Sequence, residues 1–180
     1  MNYTFTYKIE KDDYYQFNRF HIRHSAFAKR RQLTMRFLIP GIFIAAAALF
    51  YLPSRAQGDF PVISVAYLAL AVLFGVFFNQ ISDFAIKRNI KKMQRSGRIH
   101  YDKDINYEFG DDLFRETTPD STAEIKYSII TEVAEGKKAI YIYVNLQQAH
   151  IVPLRVFASE QERGEFLRFI KSKIAEYKTN

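Results

Sequence analysis

Few residues of this sequence have the types and spacing that could do chemistry. His21 and His24 lie three residues apart and would share one face of a helix, but no third metal ligand lies near them. Asp111 and Asp112 form a carboxylate pair, although acidic residues directly after Gly110 are typical of a tight hairpin turn. These spacings favour an ordinary helix face and a turn over a metal site or an acid–base pair.

The remaining sequence carries no signature of catalysis. His100 and His150 stand alone, and there is no phosphate-binding glycine loop, no GxSxG and no HExxH. Cysteine is absent from the 180 residues, which excludes disulfides, thiolate zinc sites and a cysteine nucleophile. We predict that the protein is not an enzyme and uses no cofactor or metal. The alternative is catalysis by residues that form no recognisable motif.

Basic side chains are concentrated in two segments. The chain has 26 Lys and Arg against 19 Asp and Glu. Residues 1–36 and 79–98 each carry a net charge of +5, residues 37–78 are neutral overall, and residues 99–180 carry −3. Such basic segments are typical either of the flanks of a membrane-spanning segment or of a site for anionic lipid. The candidate lipid-contact residues are Lys29, Arg30, Arg31, Arg36, Lys87, Arg88, Lys91, Lys92 and Arg95. Nucleic-acid binding is not expected, because residues 87–98 lack interleaved aromatic side chains.

Two apolar runs, at residues 37–52 and 60–78, lie between the basic segments. A bilayer core needs about 20 helical residues, and the short link at 53–59 is turn-forming. We predict a transmembrane hairpin over 33–82, with helices at about 33–52 and 60–82. A secretory signal peptide and a buried hairpin of a soluble core are the weaker alternatives.

The charges around this hairpin predict its orientation. Positive residues flank both outer ends and the link is almost neutral, so both termini should be cytoplasmic and the link should lie outside. Small residues at a spacing of four, Gly41 with Ala45 and Ala71 with Gly75, are candidates for close helix packing. Neither run contains an ionisable side chain, which favours an anchor, with an oligomeric pore lined by Ser64 as the alternative.

The rest of the chain predicts one small α+β domain. Residues 83–98 continue the second helix as a basic juxtamembrane helix. Residues 99–180 show about six short strands, one of them at 129–133, and then a helix over 159–177 with Ser159 and Glu162 as a capping box. Residues 1–32 hold an alternating strand at 3–9 and a basic amphipathic segment. A lone strand is not stable, so it should join the C-terminal sheet, unless it is an arm lying on the membrane.

This layout resembles the YcxB-like proteins of bacteria. The resemblance rests on residues 108–113 (EFGDDL), 125–133 (IKYSIITEV), 140–144 (IYIYV) and 149–157 (AHIVPLRVF), which are packing motifs. Family members often have Trp where this chain has Tyr127. The resemblance implies a transmembrane hairpin plus a small antiparallel β half-barrel of the pleckstrin-homology-like kind, capped by the C-terminal helix. It implies no activity.

The sequence therefore favours a non-catalytic interaction or assembly module at the inner membrane. Its expected partners are the lipid bilayer and an unidentified protein or a second copy of the chain. An anionic-lipid sensor using the basic segments and a small transporter or channel subunit are the alternatives.

Overall fold

A computed structural model describes residues 2–57, 60–97, 99 and 103–178 of the chain. His100, position 59 of the link and position 98 of the second basic segment lie outside the described residues. The chain forms two compact units, one of Met1–His21 with Ile90–Asn180 and the other of Ile22–Asn89. Two long apolar helices, antiparallel sheets and a C-terminal helix confirm the α+β class.

The second unit contains the helical hairpin. Helix α2 spans Ala26–Gln57 and helix α3 spans Val62–Arg95. Helix α2 extends beyond the predicted 33–52 at both ends, whereas α3 begins two residues after the predicted start at 60 and extends beyond the predicted end at 82. The extensions arise because the basic flanks are good helix formers and continue the apolar helices. The predicted juxtamembrane helix is therefore the end of α3. Gly97, with a φ of 68°, follows this end and supplies the left-handed conformation that commonly terminates a helix.

The hairpin exposes most of its apolar surface. Only 6% of the most apolar window of α2 and 17% of that of α3 is buried, which does not fit the core of a soluble domain. Both helices are long and apolar enough to cross a membrane. The buried positions are few and include Ala47, Ala71 and Phe78. Tyr67 stacks on Phe50 with ring centroids 5.7 Å apart.

Four strands form the first sheet of the other unit. They are β1 (Tyr3–Lys8), β2 (Asp104–Phe109), β3 (Leu113–Thr118) and β4 (Ser121–Lys126), antiparallel and in that order. Strand β1 pairs with β2 from Tyr3 opposite Phe109 to Lys8 opposite Asp104. The hairpin is thus inserted between two neighbouring strands of one sheet.

Three strands form the second sheet. They are β5 (Glu132–Glu135), β6 (Ala139–Tyr143) and β7 (Ala149–Pro153), again antiparallel and in chain order. The strand predicted at 129–133 begins only at Glu132, because Tyr127–Ile129 forms a 3-10 turn. This turn buries Tyr127 completely, and its hydroxyl donates to the carbonyl of Gly110 at 2.9 Å.

Helix α4, at Glu160–Lys178, contributes its apolar face to the core. The Ser159 hydroxyl accepts from the Glu162 amide at 3.1 Å, and the Glu162 carboxylate accepts from the Ala158 amide at 2.6 Å, so the predicted cap is confirmed. Phe166 and Ile170 are fully buried. The ring of Phe166 meets aromatic rings of β1 and β2, which explains why the amphipathic β1 is stable here.

An ion pair joins the start of helix α1 (Lys11–His24) to the segment that follows β7. Arg155 donates to both carboxylate oxygens of Asp13, at 2.8 and 2.7 Å, and to the carbonyl of Lys8 at 2.7 Å. The side chain of Asp13 is 7% exposed. Asp13 also accepts from the amide of Glu10 at 2.8 Å, which closes the first turn of the helix. A bidentate pair to a buried carboxylate fixes the N-terminal segment firmly.

We expect Arg155→Ala to lower the free energy of unfolding of the α+β unit by about 2–3 kcal/mol. The substitution leaves the buried carboxylate of Asp13 without its partner. The loss in free energy of unfolding should not exceed that for a fully buried ion pair, because the side chain of Arg155 is 43% exposed. Urea unfolding of the full chain in detergent, followed by tyrosine fluorescence, measures it.

Arg115→Ala is the matched control. Arg115 also contacts two carboxylates, those of Glu108 and Glu124, but all three side chains are half exposed. Its removal should change stability little. Equal losses for the two variants would contradict a special role for Arg155.

Candidate functional site

The basic residues predicted to contact lipid lie at the outer parts of the two long helices. Lys29, Arg30, Arg31 and Arg36 are exposed on α2, and the guanidinium of Arg36 lies over the ring of Phe78 at 5.7 Å. The remaining five are exposed on α3, namely Lys87, Arg88, Lys91, Lys92 and Arg95. At 100° per residue, these five fall within an arc of about 140° and form one basic face.

The opposite side of this part of α3 is apolar. Ile90 is 2% exposed and Met93 is half buried. Within the described part of the chain, no carboxylate pairs with Arg88, Lys91, Lys92 or Arg95. These four basic side chains are therefore open to anions from solution or from a lipid headgroup.

The small residues predicted to pack helices separate into two groups. Ala71 is 7% exposed, whereas Gly41 and Ala45 are exposed on α2. A Cβ atom added to Gly41 or Gly75 would meet nothing within 4 Å. Packing of Gly41, Ala45 and Gly75 against another helix stays a prediction.

The carboxylate pair Asp111–Asp112 is part of the turn between β2 and β3, as predicted. The amide of Gly110 donates to the carbonyl of Leu113 at 3.1 Å across this turn. Asp111 binds the ammonium of Lys173 at 3.1 Å, and Asp112 accepts from the hydroxyl of Tyr177 at 2.6 Å. Both carboxylates thus attach helix α4 to the sheet.

The two candidate metal ligands of α1 do not meet a third. His21 Nδ1 lies 3.4 Å from the hydroxyl of Tyr143. Among the residues that the structure describes, no group of three or more His, Asp or Glu is placed to hold a metal ion.

The prediction that His150 stands alone is wrong. His150 Nδ1 lies 2.6 Å from Glu116 Oε2, and the hydroxyl of Tyr107 donates to the same oxygen at 2.7 Å. The hydroxyl of Tyr107 also lies 3.1 Å from His150 Nδ1. Tyr107 and Glu116 are register partners in the four-stranded sheet, whereas His150 belongs to the three-stranded sheet. The cluster therefore connects the two sheets.

The environment of the cluster sets its protonation. Burial alone would raise the pKa of Glu116, but the hydrogen bonds from His150 and Tyr107 outweigh it and lower that pKa. Burial, with the nearby Tyr7 and Glu116, raises the pKa of Tyr107 well above its usual value, so its hydroxyl remains a donor. The side chains of Glu116 and His150 are 22% and 19% exposed, so the cluster is partly accessible to water.

Strand alternation could have indicated this cluster. Glu116 shares its strand face with the buried Phe114, and His150 shares its own with the buried Val152. A charged or titratable residue on an inward face needs a partner. The partners lie 34 and 43 residues apart in sequence, so local spacing could not identify them.

Residues 109–170 match the model of a family described as YcxB-like protein. The resemblance to this family is thereby confirmed. The YcxB-like segment runs from the end of β2 into α4 and includes Glu116 and His150, while both long helices precede it. No curated protein and no solved structure matches the chain significantly.

Glu116→Gln should change how stability depends on pH. Because the folded-state pKa of Glu116 is lowered, its contribution is complete above the ordinary value of 4.5 and is lost as pH falls through the folded-state value. We expect the wild type to be more stable by about 1–3 kcal/mol near neutral pH. The difference should narrow steadily as pH falls below the ordinary value of 4.5.

Denaturant unfolding at a series of pH values measures this difference. Glu124→Gln is the control, because the carboxylate of Glu124 is 53% exposed and should matter less at every pH. A difference between wild type and Glu116→Gln that does not vary with pH would contradict the assignment.

Proposed function

We propose that this chain is a two-span protein of a bacterial inner membrane, with both termini in the cytoplasm. Its α+β unit would act there as a non-catalytic interaction or assembly module. The exposed apolar surface of the hairpin and the basic residues at its outer ends support this location. A sheet of four strands, a sheet of three strands and a C-terminal helix support the pleckstrin-homology-like comparison.

The observation that carries the interaction role is the open edge of β4. Among the strands that the structure describes, it pairs with β3 alone, and five of its six residues are exposed. An open edge offers a row of backbone donors and acceptors to an extended segment of another chain. The other outer strand of the sheet, β1, is fixed by Arg155 at its end and by Phe166 on its face. One backbone acceptor of β1, the carbonyl of Lys8, is therefore already occupied.

A photo-crosslinking amino acid at Thr122 should give a discrete protein adduct in cells, because this position lies on the open edge. Thr6 is the matched control. It is an exposed threonine in the same cross-strand row, where Thr6 faces Asn106, Asn106 faces Thr117 and Thr117 faces Thr122. Adduct size then distinguishes another protein from a second copy of the chain.

Adducts of equal yield from both positions, or from neither, would contradict a role for the β4 edge.

The second candidate function is an anionic-lipid sensor, which the single basic face of α3 favours. In that case anionic vesicles should protect Lys91 and Lys92 from acylation, and salt should remove the protection.

A channel or transporter role has less support. Ser64, the residue that would line an oligomeric pore, is 3% exposed within its own hairpin, so it is not available to a shared pore. The apolar runs at 37–52 and 60–78 contain no Asp, Glu, Lys, Arg or His.

Cysteine accessibility tests the orientation, because the natural chain contains no cysteine. Gln57→Cys, an exposed position at the end of α2, should react with a membrane-impermeant maleimide in intact cells. Gln161→Cys, an exposed position in α4, should react only after the cells are permeabilised. Labelling of Gln161→Cys alone in intact cells would reverse the proposed orientation.

A further inference from the structure

The inner face of the four-stranded sheet, which packs on the core, is covered along one part of β4 and open along another. Register partners in neighbouring strands lie on the same face of a sheet. Phe114 and its partner Ile125 are 0% and 6% exposed. In the next row of the same face, Tyr107 is buried, Glu116 is half-buried and Ala123 is exposed. The core therefore ends before Ala123 and leaves the inner face open beside Glu116.

The cluster of Glu116 and His150 keeps two atoms unused. The lowered pKa of Glu116 leaves it ionised near neutral pH. An ionised carboxylate can only accept, so Nδ1 of His150 carries the proton in its hydrogen bond to Oε2 of Glu116. Within the described part of the chain, Oε1 of Glu116 and Nε2 of His150 have no hydrogen-bond partner, yet neither atom is buried. A charged oxygen is therefore available to a donor that comes from outside.

The basic side chains of the two strands do not neutralise this carboxylate. Arg115 and Lys126 are the cations of β3 and β4, and each alternates with the inward Glu116 or Ile125, so both lie on the outer face. Arg115 contacts Glu108 and Glu124 there. Among the residues that the structure describes, no Lys or Arg forms an ion pair with Glu116. The open part of the inner face is thus negatively charged.

The geometry of an added strand decides which side chain can reach this charge. Neighbouring strands lie about 4.8 Å apart, so a residue placed beside Ala123 by a segment on the β4 edge lies two spacings, or roughly 10 Å, from Glu116. The methyl group of Ala123 leaves the space between them open. Lys and Arg combine a long stem with a cationic head, whereas the hydroxyl of a serine would end far short of the carboxylate.

We infer that the β4 edge binds an extended segment of a partner protein that carries Lys or Arg beside Ala123, and that this cation binds Oε1 of Glu116. Backbone hydrogen bonds along the edge would supply affinity, and the ion pair in the half-buried recess would select the segment. The inference rests on the proposed interaction role of the β4 edge and adds the chemistry of the segment that it accepts.

A peptide selection tests this without knowledge of the natural partner. Random eight-residue peptides are selected by display on the full chain in nanodiscs of zwitterionic lipid, after removal of peptides that bind empty nanodiscs. The neutral lipid prevents selection of basic peptides by the bilayer itself. A photo-crosslinking amino acid at Thr122 then identifies the selected peptides that bind at the β4 edge, and their dissociation constants are measured by fluorescence anisotropy.

Four variants separate the carboxylate from the edge. Glu116→Gln removes the charge, and Glu124→Gln is its control on the outer face of the sheet. Ala123→Lys places an ammonium beside Glu116 and occupies the recess, and Ala123→Ser is its control at the same exposed position. Because position 123 is exposed, Ala123→Lys decides the question by itself if Glu116→Gln does not fold.

We expect the crosslinked peptides to share Lys or Arg at one position. Their affinity should fall roughly tenfold or more in Glu116→Gln and in Ala123→Lys, and change little in the two controls. Crosslinked peptides without a common basic position, or with equal affinity for the wild type and all four variants, would overturn this inference and leave the edge as a docking site. If no selected peptide crosslinks at Thr122, the proposed docking role of the edge fails with it.

Discussion

The pairing of β1 with β2 is the constraint on which the rest of the structure depends. These neighbouring strands are separated in sequence by both long helices, yet they pair over six residues from Tyr3 to Lys8. The entropy of closing such a long loop grows only with the logarithm of its length, and a preformed helical hairpin shortens the effective loop further. Once this pairing forms, the helical unit has two covalent connections to the sheet, and neither unit is an independent appendage.

The polar contacts inside the α+β unit define one arrangement of its parts. Arg155 with Asp13 fixes the N-terminal segment after β7, and Glu116 with His150 and Tyr107 fixes one sheet against the other. Apolar packing alone tolerates small shifts of register, whereas a buried carboxylate without its partner is costly. The aromatic core supplies the stabilisation, and these polar contacts select the geometry in which it forms.

Exposed apolar surface is extensive on the helical hairpin and limited to single residues on the α+β unit. Along the hairpin it covers most of both helices, which is the pattern of a membrane-spanning segment. In the α+β unit it is limited to a few positions, of which Leu146 is the most exposed. The first pattern is that of two helices long and apolar enough to cross a membrane, and the second is a few single residues on an otherwise polar surface.

The sequence by itself determined the elements whose cause is local. Five features depend only on neighbouring residues, so each could be predicted. They are the apolar runs, the basic flanks, the Ser159 cap, the Asp111–Asp112 turn and the alternation of β1. The exact start of β5 could not, because the burial of Tyr127 against Gly110 replaces a strand by a 3-10 turn.

Only the tertiary structure decided which residues meet. His150 looked isolated because its partner Glu116 lies 34 residues away on another sheet. Ile129 and Leu146 share one end of a sheet only because Thr131 pairs with Tyr143. Periodicity reports the face on which a side chain lies. The partner across that face depends on how strands distant in sequence pack, and no local pattern contains this information.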